Sequence, residues 1–523
     1  MQANKKTGAG GVLLLFFLLA MGSLIFFGQQ NKGLPIFFNW GKPDPLTQTI
    51  ELIKTRYVDN IQVDSLEGLS LDSLIGRLDP HSAYLSPTQL KTANEDLAGH
   101  FAGIGIEFNL IRDTVTVAFL MPNSPSVKMG IQVGDQLLAV GERSLVGKGI
   151  DADSIRSLVR GPAGSMADLT IRSKGQMRKV SLKRSDIPTP AVAVSYLMND
   201  TTGYIQLAKF SEGSYRETVQ ALESLVSNGI KALVLDLRSN GGGFMHEAVE
   251  LADEFLADDR LIVYTEGAHQ PKRSYSCKRP GLFEKGKLTI LMNEYSASAS
   301  EVLAGALQDW CRATIVGRKS FGKGLVQEQY DLSNGGALRL TVARYYTPLG
   351  RCIQRPYHGN KRADRQEQNH EEQQSHPASI KTYFNNCGDS LFANGGIYPD
   401  VFVPREESTL SKEGNGLLNT PEIIQWAYQF YQLNKKEIDS IPDLTIPAHN
   451  PPLPKIRSFF ENQPYFNAPI GKDITESDWN RIGFEFYAQI ARFAKGTSEY
   501  ARVIHLRDPF VKAALSHGSN SSK

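Results

Sequence analysis

The sequence is short of cysteine, of any surplus of charge, and of long apolar runs. Its 523 residues include four cysteines without a C-x-x-C pair, and neither His81 nor His246 has a partner at ligand spacing. We therefore expect no metal and no other cofactor. Free buried thiols are the expectation for the cysteines, with one disulfide as the open alternative. The 57 basic and 55 acidic side chains leave a net charge of +2, which argues against nucleic acid binding.

One apolar run is present, near the N-terminus. Lys5 and Lys6 precede an uncharged stretch over 7–31, which is long enough to cross a bilayer as a helix. Because basic flanks stay on the cytoplasmic side, the rest of the chain should lie beyond the membrane. We predict a single-pass membrane anchor at 8–28, with the body outside the cytoplasm. A cleavable signal peptide is the alternative.

The remainder of the chain divides into four regions that differ in their pattern of apolar and polar residues. Apolar residues at helical spacing predict a small helical unit at 44–97, and short alternating runs between turns predict a β-rich domain at 98–185. Strands and helices then alternate over 186–405, which is typical of an α/β layer on a mostly parallel sheet. Within it, the polar stretch from Tyr357 to Ser379 predicts a solvated loop. Helical patterns return at 406–523, so the predicted fold class is multidomain α/β.

A turn rich in small residues, from Asn293 to Glu301, follows an apolar strand and opens a helical run. Such a strand-to-helix turn exposes a hydroxyl beside the free N–H groups of the helix N-terminus. That arrangement suits a nucleophile, but serine also caps helices without any catalytic role. The residues alone leave Ser296, Ser298 and Ser300 as equal candidates.

Lys323 lies between two glycines and is a candidate base. A lysine serves as a base only as the neutral amine, so its pKa has to be lowered by burial or by positive neighbours. Gln327 could orient the amine without the negative charge that would raise this pKa. A surface lysine is the alternative, and the residues upstream do not form a phosphate-binding loop.

Three consecutive glycines, Gly241 to Gly243, follow an apolar strand that ends near Asp236. Without side chains they can present backbone N–H groups to an oxyanion, although a flexible turn before a helix is the alternative. Asp236 and Arg238 are candidates for an ion pair that holds this turn.

The β-rich domain opens on an alternating segment with two glycines. Backbone N–H groups freed there would capture the terminal carboxylate of a peptide that adds as a strand, or the segment is an ordinary edge strand. Arg160 would add a positive charge nearby, but we expect it to be solvent-exposed. The candidate peptide-binding residues are Gly103, Ile104, Gly105 and Ile106.

Together these segments resemble the carboxyl-terminal processing peptidases, also called tail-specific proteases. The resemblance runs from about Leu46 to Pro404 and rests on LDPHSAYLSP, GIGIEF, GDQLLAVGE, VRGPAG, DLRSNGGG, NEYSASASE, FGKGLVQ and GGIYPDVFVP, in the family's order. It implies an α/β serine protease core with an inserted PDZ domain and helical modules at both ends. The chain departs from the family where DLRSNGGG lacks a proline before the glycine pair, and where the stretch from Tyr357 to Asn386 is longer and more polar than a minimal member needs.

The resemblance also implies roles for particular residues and a function. An endopeptidase would cleave proteins whose apolar carboxyl termini bind the PDZ domain, with no catalytic role for the helices at 406–523. Its partners would be such substrates and the membrane, which would be a bacterial inner membrane with the body in the periplasm. A homodimer is left open. A catalytically silent tail-binding scaffold and an acyl-thioester enzyme are the alternatives. The implied site residues are the nucleophile Ser298, the base Lys323, the third member Gln327, and oxyanion donors on Ala299 and on Gly242 or Gly243.

Overall fold

The computed structural model describes residues 44–59, 71–111, 113–147, 151–357, 381–406, 410–463 and 474–519. The predicted anchor at 8–28 lies outside these ranges, as does the polar stretch from Tyr357 to Ser379 except for its first residue. Within the ranges, no helix is both long enough and apolar enough to cross a membrane.

Short helices open the described chain and lead into the β-rich domain. Ser86 and Gln89 cap the helix α3 reciprocally, and Gly99 ends it in the left-handed conformation at φ 73°. The chain therefore turns directly from α3 into the next strand. The elements are α1 (Pro45–Arg56), α2 (Leu71–Ile75), β1 (Ala83–Leu85) and α3 (Pro87–Ala98).

The β-rich domain is an antiparallel sheet in the order β3-β4-β5-β7-β8, with β6 beside β5. Ile155 and Val159 are buried on the apolar face of α5, within the core of the domain. The entry strand β2 pairs with the exit strand β9, so the domain joins the rest of the chain through a two-stranded neck. Its elements are β2 (His100–Gly103), β3 (Ile106–Ile111), β4 (Thr114–Leu120), α4 (Pro125–Lys128), β5 (Gln136–Val140), β6 (Arg143–Ser144), α5 (Ala152–Val159), β7 (Met166–Ser173), β8 (Gln176–Lys183) and β9 (Ser185–Pro188).

Strands and helices alternate after the neck, as the sequence predicts. The elements are β10 (Val192–Asn199), β11 (Thr202–Leu207), α6 (Ser214–Ser227), β12 (Ala232–Asp236), α7 (Met245–Asp253), β13 (Leu261–Gly267), β14 (Gln270–Ser276), β15 (Lys287–Met292), α8 (Ala299–Asp309), β16 (Thr314–Gly317), β17 (Leu325–Asp331), β18 (Ala337–Tyr346), β19 (Thr382–Phe384), β20 (Ser390–Phe392) and β21 (Val401–Phe402).

These strands form two sheets. The central sheet has the order β10-β11-β12-β15-β16-β21 and is parallel except between β10 and β11. Helices α6, α7 and α8 bury their apolar side chains against one face of it. The second sheet has the order β1-β18-β13-β14, and β17 also pairs with β18. The short strand β1 thus ties the N-terminal helices to the core.

Helices make up most of the chain after residue 410. They are α9 (Lys412–Leu418), α10 (Ile423–Leu433), α11 (Lys435–Asp439), α12 (Thr445–His449), α13 (Leu453–Glu461), α14 (Glu476–Lys495), α15 (Thr497–His505) and α16 (Pro509–Ser519). An aromatic cluster that includes Trp426, Phe460 and Phe486 packs α10, α13 and α14 together.

The last two helices belong to a different layer. Ala501 of α15 and Phe510 of α16 pack with Tyr204 and Val234 of the central sheet, on the face opposite to α6–α8. The central sheet is therefore covered by helices on both faces. The predicted boundary at residue 405 stays a sequence prediction, but α15 and α16 complete the layers of the α/β core.

A disulfide joins two distant parts of the core. Cys311 follows the end of α8, and it is bonded to Cys387 in the turn between β19 and β20. Cys277 and Cys352 are free thiols. The one disulfide that the sequence left open is therefore present, and the expectation of free thiols holds only for the other two cysteines.

Candidate active site

Three loops leave the carboxyl ends of neighbouring strands of the central sheet. We call them the glycine turn (237–244, after β12), the serine turn (293–298, after β15) and the lysine loop (318–324, after β16). Because β12, β15 and β16 are adjacent and parallel, their loops emerge at the same edge of the sheet. The topology thus brings together the segments that the sequence identified as candidates.

The serine turn presents Ser298 to a cavity and buries its neighbours. Ser296 Oγ donates to the Leu237 carbonyl at 2.7 Å, and Ser300 Oγ donates to the Asn240 carbonyl at 2.9 Å. Both serines are fully buried, whereas Ser298 is part-buried and lines the cavity. Ser298 has φ 55° and ψ −115°, which is unfavourable for a residue with a side chain and is typical of a nucleophile turn. The structure therefore distinguishes the three serines that the sequence could not.

The glycine turn packs directly against Ser298. A Cβ built on Gly242 would lie 2.7 Å from the Ser298 Cβ, so a side chain does not fit there. The Gly242 N–H donates to the Asn240 carboxamide at 2.9 Å. By contrast, the N–H groups of Gly243 and Ala299 meet no hydrogen-bond acceptor in the described part of the chain. Gly243 and Ala299 are thus the donors available to an oxyanion in this conformation.

Lys323 is held by an amide rather than by a carboxylate. Its Nζ donates to Gln327 Oε1 at 2.8 Å, and Gln327 Nε2 donates to the His81 carbonyl at 2.8 Å. The second hydrogen bond fixes the amide so that its oxygen faces the lysine. His81 thus contributes its backbone rather than its imidazole, which sequence reasoning did not foresee.

The surroundings favour the neutral form of Lys323. Burial and then the positive charge of Arg339 lower its pKa to about 8, against the opposing influence of Asp79 and Glu301. Arg339 lies on β18 and lines the same cavity, where its guanidinium donates to Gln329 at 3.4 Å. An amine with a pKa of about 8 can both accept and return a proton near neutral pH.

Glu301 joins the serine turn to the lysine loop. Its carboxylate is fully buried, and it accepts hydrogen bonds from the backbone N–H groups of Ser298, Gly322 and Lys323 at 2.7–2.9 Å. The Ser320 hydroxyl donates to the same carboxylate at 2.5 Å. Burial raises the pKa of Glu301, and these donors act against that rise. Glu301 was not among the predicted site residues, although the spacing S-x-x-E at a helix start was a signal.

Tyr345 connects the same two segments from the other sheet. Its hydroxyl lies within hydrogen-bond distance of the backbone carbonyls of Lys323 and Ser298, the latter at 3.1 Å. Burial raises the pKa of Tyr345 far above its usual value, so the hydroxyl stays a donor. Nothing in the alternating pattern of β18 indicated this contact.

The predicted ion pair of Asp236 and Arg238 is confirmed. The two side chains lie 2.6 Å apart at the start of the glycine turn, and Asp236 is completely buried. The Tyr204 hydroxyl also donates to Asp236, at 2.6 Å. A buried carboxylate with several donors fixes the direction in which the glycine turn leaves β12.

The cavity beside Ser298 has a volume of about 520 Å³. It is bounded by the glycine turn, Ser298, Lys323 and β17, and its other wall is α3, through Ala93, Asp96 and Leu97. Since α3 continues into the neck strand β2, one wall of this cavity is directly connected to the β-rich domain.

A second groove of about 350 Å³ lies between β3 and α5 in the β-rich domain. Ile104, Gly105 and Ile106 line it together with apolar side chains of both elements. Gly105 has φ 76°, and a Cβ there would lie 2.3 Å from the Ser124 Cβ, so glycine is required. Gly103 is not among the lining residues but ends the neck strand β2. We call this the β3–α5 groove.

Arg160 lies at the end of the β3–α5 groove. The expectation that it is simply solvent-exposed is wrong, because it is part-buried, pairs with Glu95 at 3.1 Å and stacks 4.3 Å above the Phe101 ring. Glu95 belongs to α3, so this ion pair bridges the β-rich domain and the helix that walls the active-site cavity.

Comparison with known proteins shows the family of the chain. The chain is 34% identical over 349 residues to the carboxy-terminal-processing protease of Bartonella bacilliformis, which covers 66% of this chain and 78% of that protein. The sequence profile of peptidase family S41 matches residues 201–361. The chain belongs to peptidase family S41. It is a serine peptidase of the carboxy-terminal-processing type, and a PDZ-domain profile matches its residues 102–183.

Other relatives of this S41 peptidase are similar over the same extent. A probable CtpA-like serine protease of Staphylococcus epidermidis is 32% identical over 347 residues, which is 66% of this chain and 69% of that one. Among solved structures, the photosystem II D1 C-terminal processing protease is 26% identical with a TM-score of 0.39, and the match covers 73% of this chain and 96% of that protein.

Proposed function

We propose that this S41 peptidase is a membrane-anchored, extracytoplasmic endopeptidase in which Ser298 and Lys323 form the catalytic dyad. The observation that carries the proposal is that Ser298 and Lys323 line one cavity, the first on a strained turn and the second with a pKa lowered to about 8. Gln327 holds the amine. Gly243 and Ala299 would be the oxyanion donors.

The acylation step uses the lone pair of Lys323. A neutral amine that donates one N–H to Gln327 keeps its lone pair free to accept the hydroxyl proton of Ser298. As that proton moves, Ser298 Oγ bonds to the scissile carbonyl carbon, and the carbonyl oxygen becomes an oxyanion. When the intermediate collapses, the carbon–nitrogen bond breaks, and the Lys323 ammonium returns its proton to the leaving amine.

Deacylation repeats these steps with water. Lys323 takes a proton from water, the resulting hydroxide oxygen bonds to the ester carbon, and the ester carbon–oxygen bond breaks. The Lys323 ammonium then protonates Ser298 Oγ, which restores the free enzyme. The products are a new carboxyl terminus and the released carboxyl-terminal fragment.

Substrates would be chosen by their apolar carboxyl termini in the β3–α5 groove. Ile104, Ile106 and Val159 supply apolar lining. Arg156 and Arg160 also line the groove, and a terminal carboxylate would share their donors with their present partners, Asp153 and Glu95. The groove belongs to the β-rich domain, and the neck strand β2 of that domain follows directly after α3. A tail bound there would be tethered near the active-site cavity.

The extracytoplasmic placement is supported by two independent observations. Lys5 and Lys6 precede the apolar stretch at 8–28 in the order expected of a cytoplasmic flank and an anchor. The disulfide between Cys311 and Cys387 suits an oxidising compartment. Intact mass of the protein purified from membranes tests the anchor, because a mature N-terminus beyond residue 28 would contradict it.

The dyad is tested by cleavage of an unfolded reporter with an apolar carboxyl-terminal tail, using the full-length protein in detergent. We expect Ser298→Ala and Lys323→Ala each to lower kcat by about 10⁴-fold or more, because each removes a group on which the covalent step depends. Lys319→Ala is the matched control, since Lys319 lies in the same loop but contacts the Tyr398 ring outside the cavity.

Substantial turnover by Lys323→Ala would refute the dyad. If neither the wild type nor Lys319→Ala cleaves while the tail still binds, a tail-binding scaffold is the function instead.

A further inference from the structure

The C-terminal helix α16 begins at the same edge of the sheet as the catalytic loops. Asp508 precedes α16, and its Oδ1 accepts the Phe510 N–H at 2.8 Å, as in a helix cap. Its Oδ2 accepts a hydrogen bond from Arg238 Nη1 at 2.7 Å. One carboxylate thus starts the last helix and also contacts the residue that begins the glycine turn.

Arg238 has two carboxylate partners, one at the end of β12 and one at the start of α16. Its Nε and Nη2 bond Asp236 at 2.6–3.0 Å, and its Nη1 bonds Asp508. The side chains are 17% exposed for Arg238 and 9% for Asp508, so this is a largely desolvated network. Removing Asp508 leaves the charge of Arg238 balanced by Asp236, but it takes away the acceptor of a largely buried charged donor, which is costly. Arg238 therefore depends on the C-terminal helix for part of its environment.

Phe510 extends the contact to the serine turn. Two guanidinium groups lie near its ring, with Arg238 at 4.8 Å and Arg318 at 4.9 Å from the centroid. Arg318 in turn pairs with Glu294 of the serine turn at 2.9 Å. The start of α16 therefore touches the glycine turn and, through Arg318, the serine turn.

The glycine turn is held from several sides. Asn240 Nδ2 donates to the Leu207 carbonyl at 2.8 Å, while Phe210 donates to the Gly242 carbonyl at 2.9 Å and accepts from the Phe244 N–H at 2.8 Å. Ser239 has φ 58° and its N–H donates to Asn293 Oδ1 at 2.9 Å, while Asn240 accepts from the Ala297 N–H at 3.0 Å. A strained turn of this kind persists only where the surrounding groups fix it. The Asp236–Arg238–Asp508 network supplies that fixation at the point where the turn leaves β12.

We infer that Asp508 is a positioning residue for the oxyanion donors: by holding Arg238 it keeps the glycine turn, and with it the Gly243 N–H, in place beside Ser298. The inference rests on the proposed function, in which that N–H binds the oxyanion. It also gives the C-terminal helices a part in catalysis that the sequence did not suggest.

Two substitutions in the full-length protein test this role. Asp508→Asn keeps a side-chain acceptor but removes the charge, and Asp508→Ser keeps a helix cap while being too short to contact Arg238. Both are expected to lower kcat for a short peptide substrate about tenfold or more with KM changed less than twofold, because the donors act on the transition state. Asp508→Glu should recover part of the loss.

Asp443→Asn is the matched control, because it removes another acidic partner of an arginine in the C-terminal region, Arg502, at 3.3 Å. It should leave kcat unchanged at temperatures below unfolding. Wild-type kcat in folded Asp508→Asn and Asp508→Ser would overturn the inference.

A second readout does not depend on activity. Hydrogen–deuterium exchange of the peptide that contains the glycine turn should speed up in both Asp508 variants but not in Asp443→Asn. Unchanged exchange overturns the positioning role even if the enzyme proves inactive. Absence of Ser298-dependent cleavage by the wild type, with faster exchange in the variants, would instead refute the proposed function alone.

Discussion

The active-site cavity and the β3–α5 groove are both built beside glycine-containing loops, yet they are held in different ways. Around Ser298 and Lys323, a buried carboxylate and a buried tyrosine hydroxyl connect backbone groups of separate loops. The groove instead owes its shape to apolar side chains of a strand and a helix, with Gly105 packed on Ser124. When a buried polar group loses its partner, the full free energy cost of an unpaired group is paid at once. When an apolar side chain is shortened, the cost in free energy grows with the volume removed.

Outside the proposed dyad, the largest effect should come from Glu301→Gln. A neutral amide offers one acceptor oxygen where the carboxylate offers two. Some of the four donors that bond Glu301 therefore lose their acceptor; these donors belong to Ser298, Ser320, Gly322 and Lys323. Each buried donor left unpaired costs about 1–3 kcal/mol. We expect kcat/KM to fall by about 10²-fold or more, together with a lower Tm, measured by peptide cleavage and thermal unfolding.

Glu294→Gln provides the control for that change. Glu294 pairs with Arg318 and Arg405 at the margin of the serine turn, with its side chain 20% exposed. Its loss should affect kcat/KM far less. Equal effects of the two substitutions would show that activity is no more sensitive to the buried hydrogen bonds of Glu301 than to the partly exposed ion pairs of Glu294.

The pH dependence of kcat/KM should be the next largest effect. Lys323 acts as the neutral amine, and its pKa is lowered to about 8, so kcat/KM should rise about tenfold per pH unit below that value and then level off. Since the unfolded lysine has a pKa of 10.5, the unfolded chain binds more protons between about 8 and 10.5. The contribution of Lys323 to stability therefore increases with pH across that window.

Arg339→Gln sharpens this prediction. Without the positive neighbour, the pKa of Lys323 should rise, and the midpoint of the pH profile should move to higher pH. Arg339→Lys retains the charge and should keep the wild-type midpoint. A profile that does not move in Arg339→Gln would mean that burial alone sets the pKa.

The smallest effect should come from the groove. Ile106→Ser removes apolar lining at a cost of about 1–2 kcal/mol of tail binding, so KM for a tailed reporter should rise about tenfold while kcat stays the same. A short peptide without the tail should be cleaved at the wild-type rate. Val127→Ser, at a position 44% exposed and outside the groove, is the control.

An unchanged KM in Ile106→Ser would show that the tail binds elsewhere. A fall in kcat for the short peptide would show that the groove and the active site are coupled rather than independent.

Local patterns predicted much of the fold and the chemical types at the site. The alternation after residue 186 reflects strands and helices whose periods are visible in the residues themselves, and the ion pair of Asp236 and Arg238 involves neighbours in sequence. Contacts across the fold were not predictable in this way. Ser320 and Gly322 meet Glu301 only because β15 and β16 are adjacent and parallel.

The choice among the three serines shows the same limit. Ser296, Ser298 and Ser300 have similar neighbours in sequence, and they differ in which carbonyls lie within reach once the glycine turn has folded against them. Asp508 is further still from Arg238 along the chain, so no local pattern could connect the two. Sequence therefore indicated the reacting groups, while the groups that hold them emerged from the topology.

The disulfide between Cys311 and Cys387 also determines what a cut in the chain would do. It closes a covalent ring of residues 311–387 that contains Lys323 and Gln327, whereas Ser298 lies outside it. A single cleavage anywhere within 312–386 therefore leaves both pieces in one molecule, with the base still covalently linked to the nucleophile. The nicked chain would separate on a gel only after reduction.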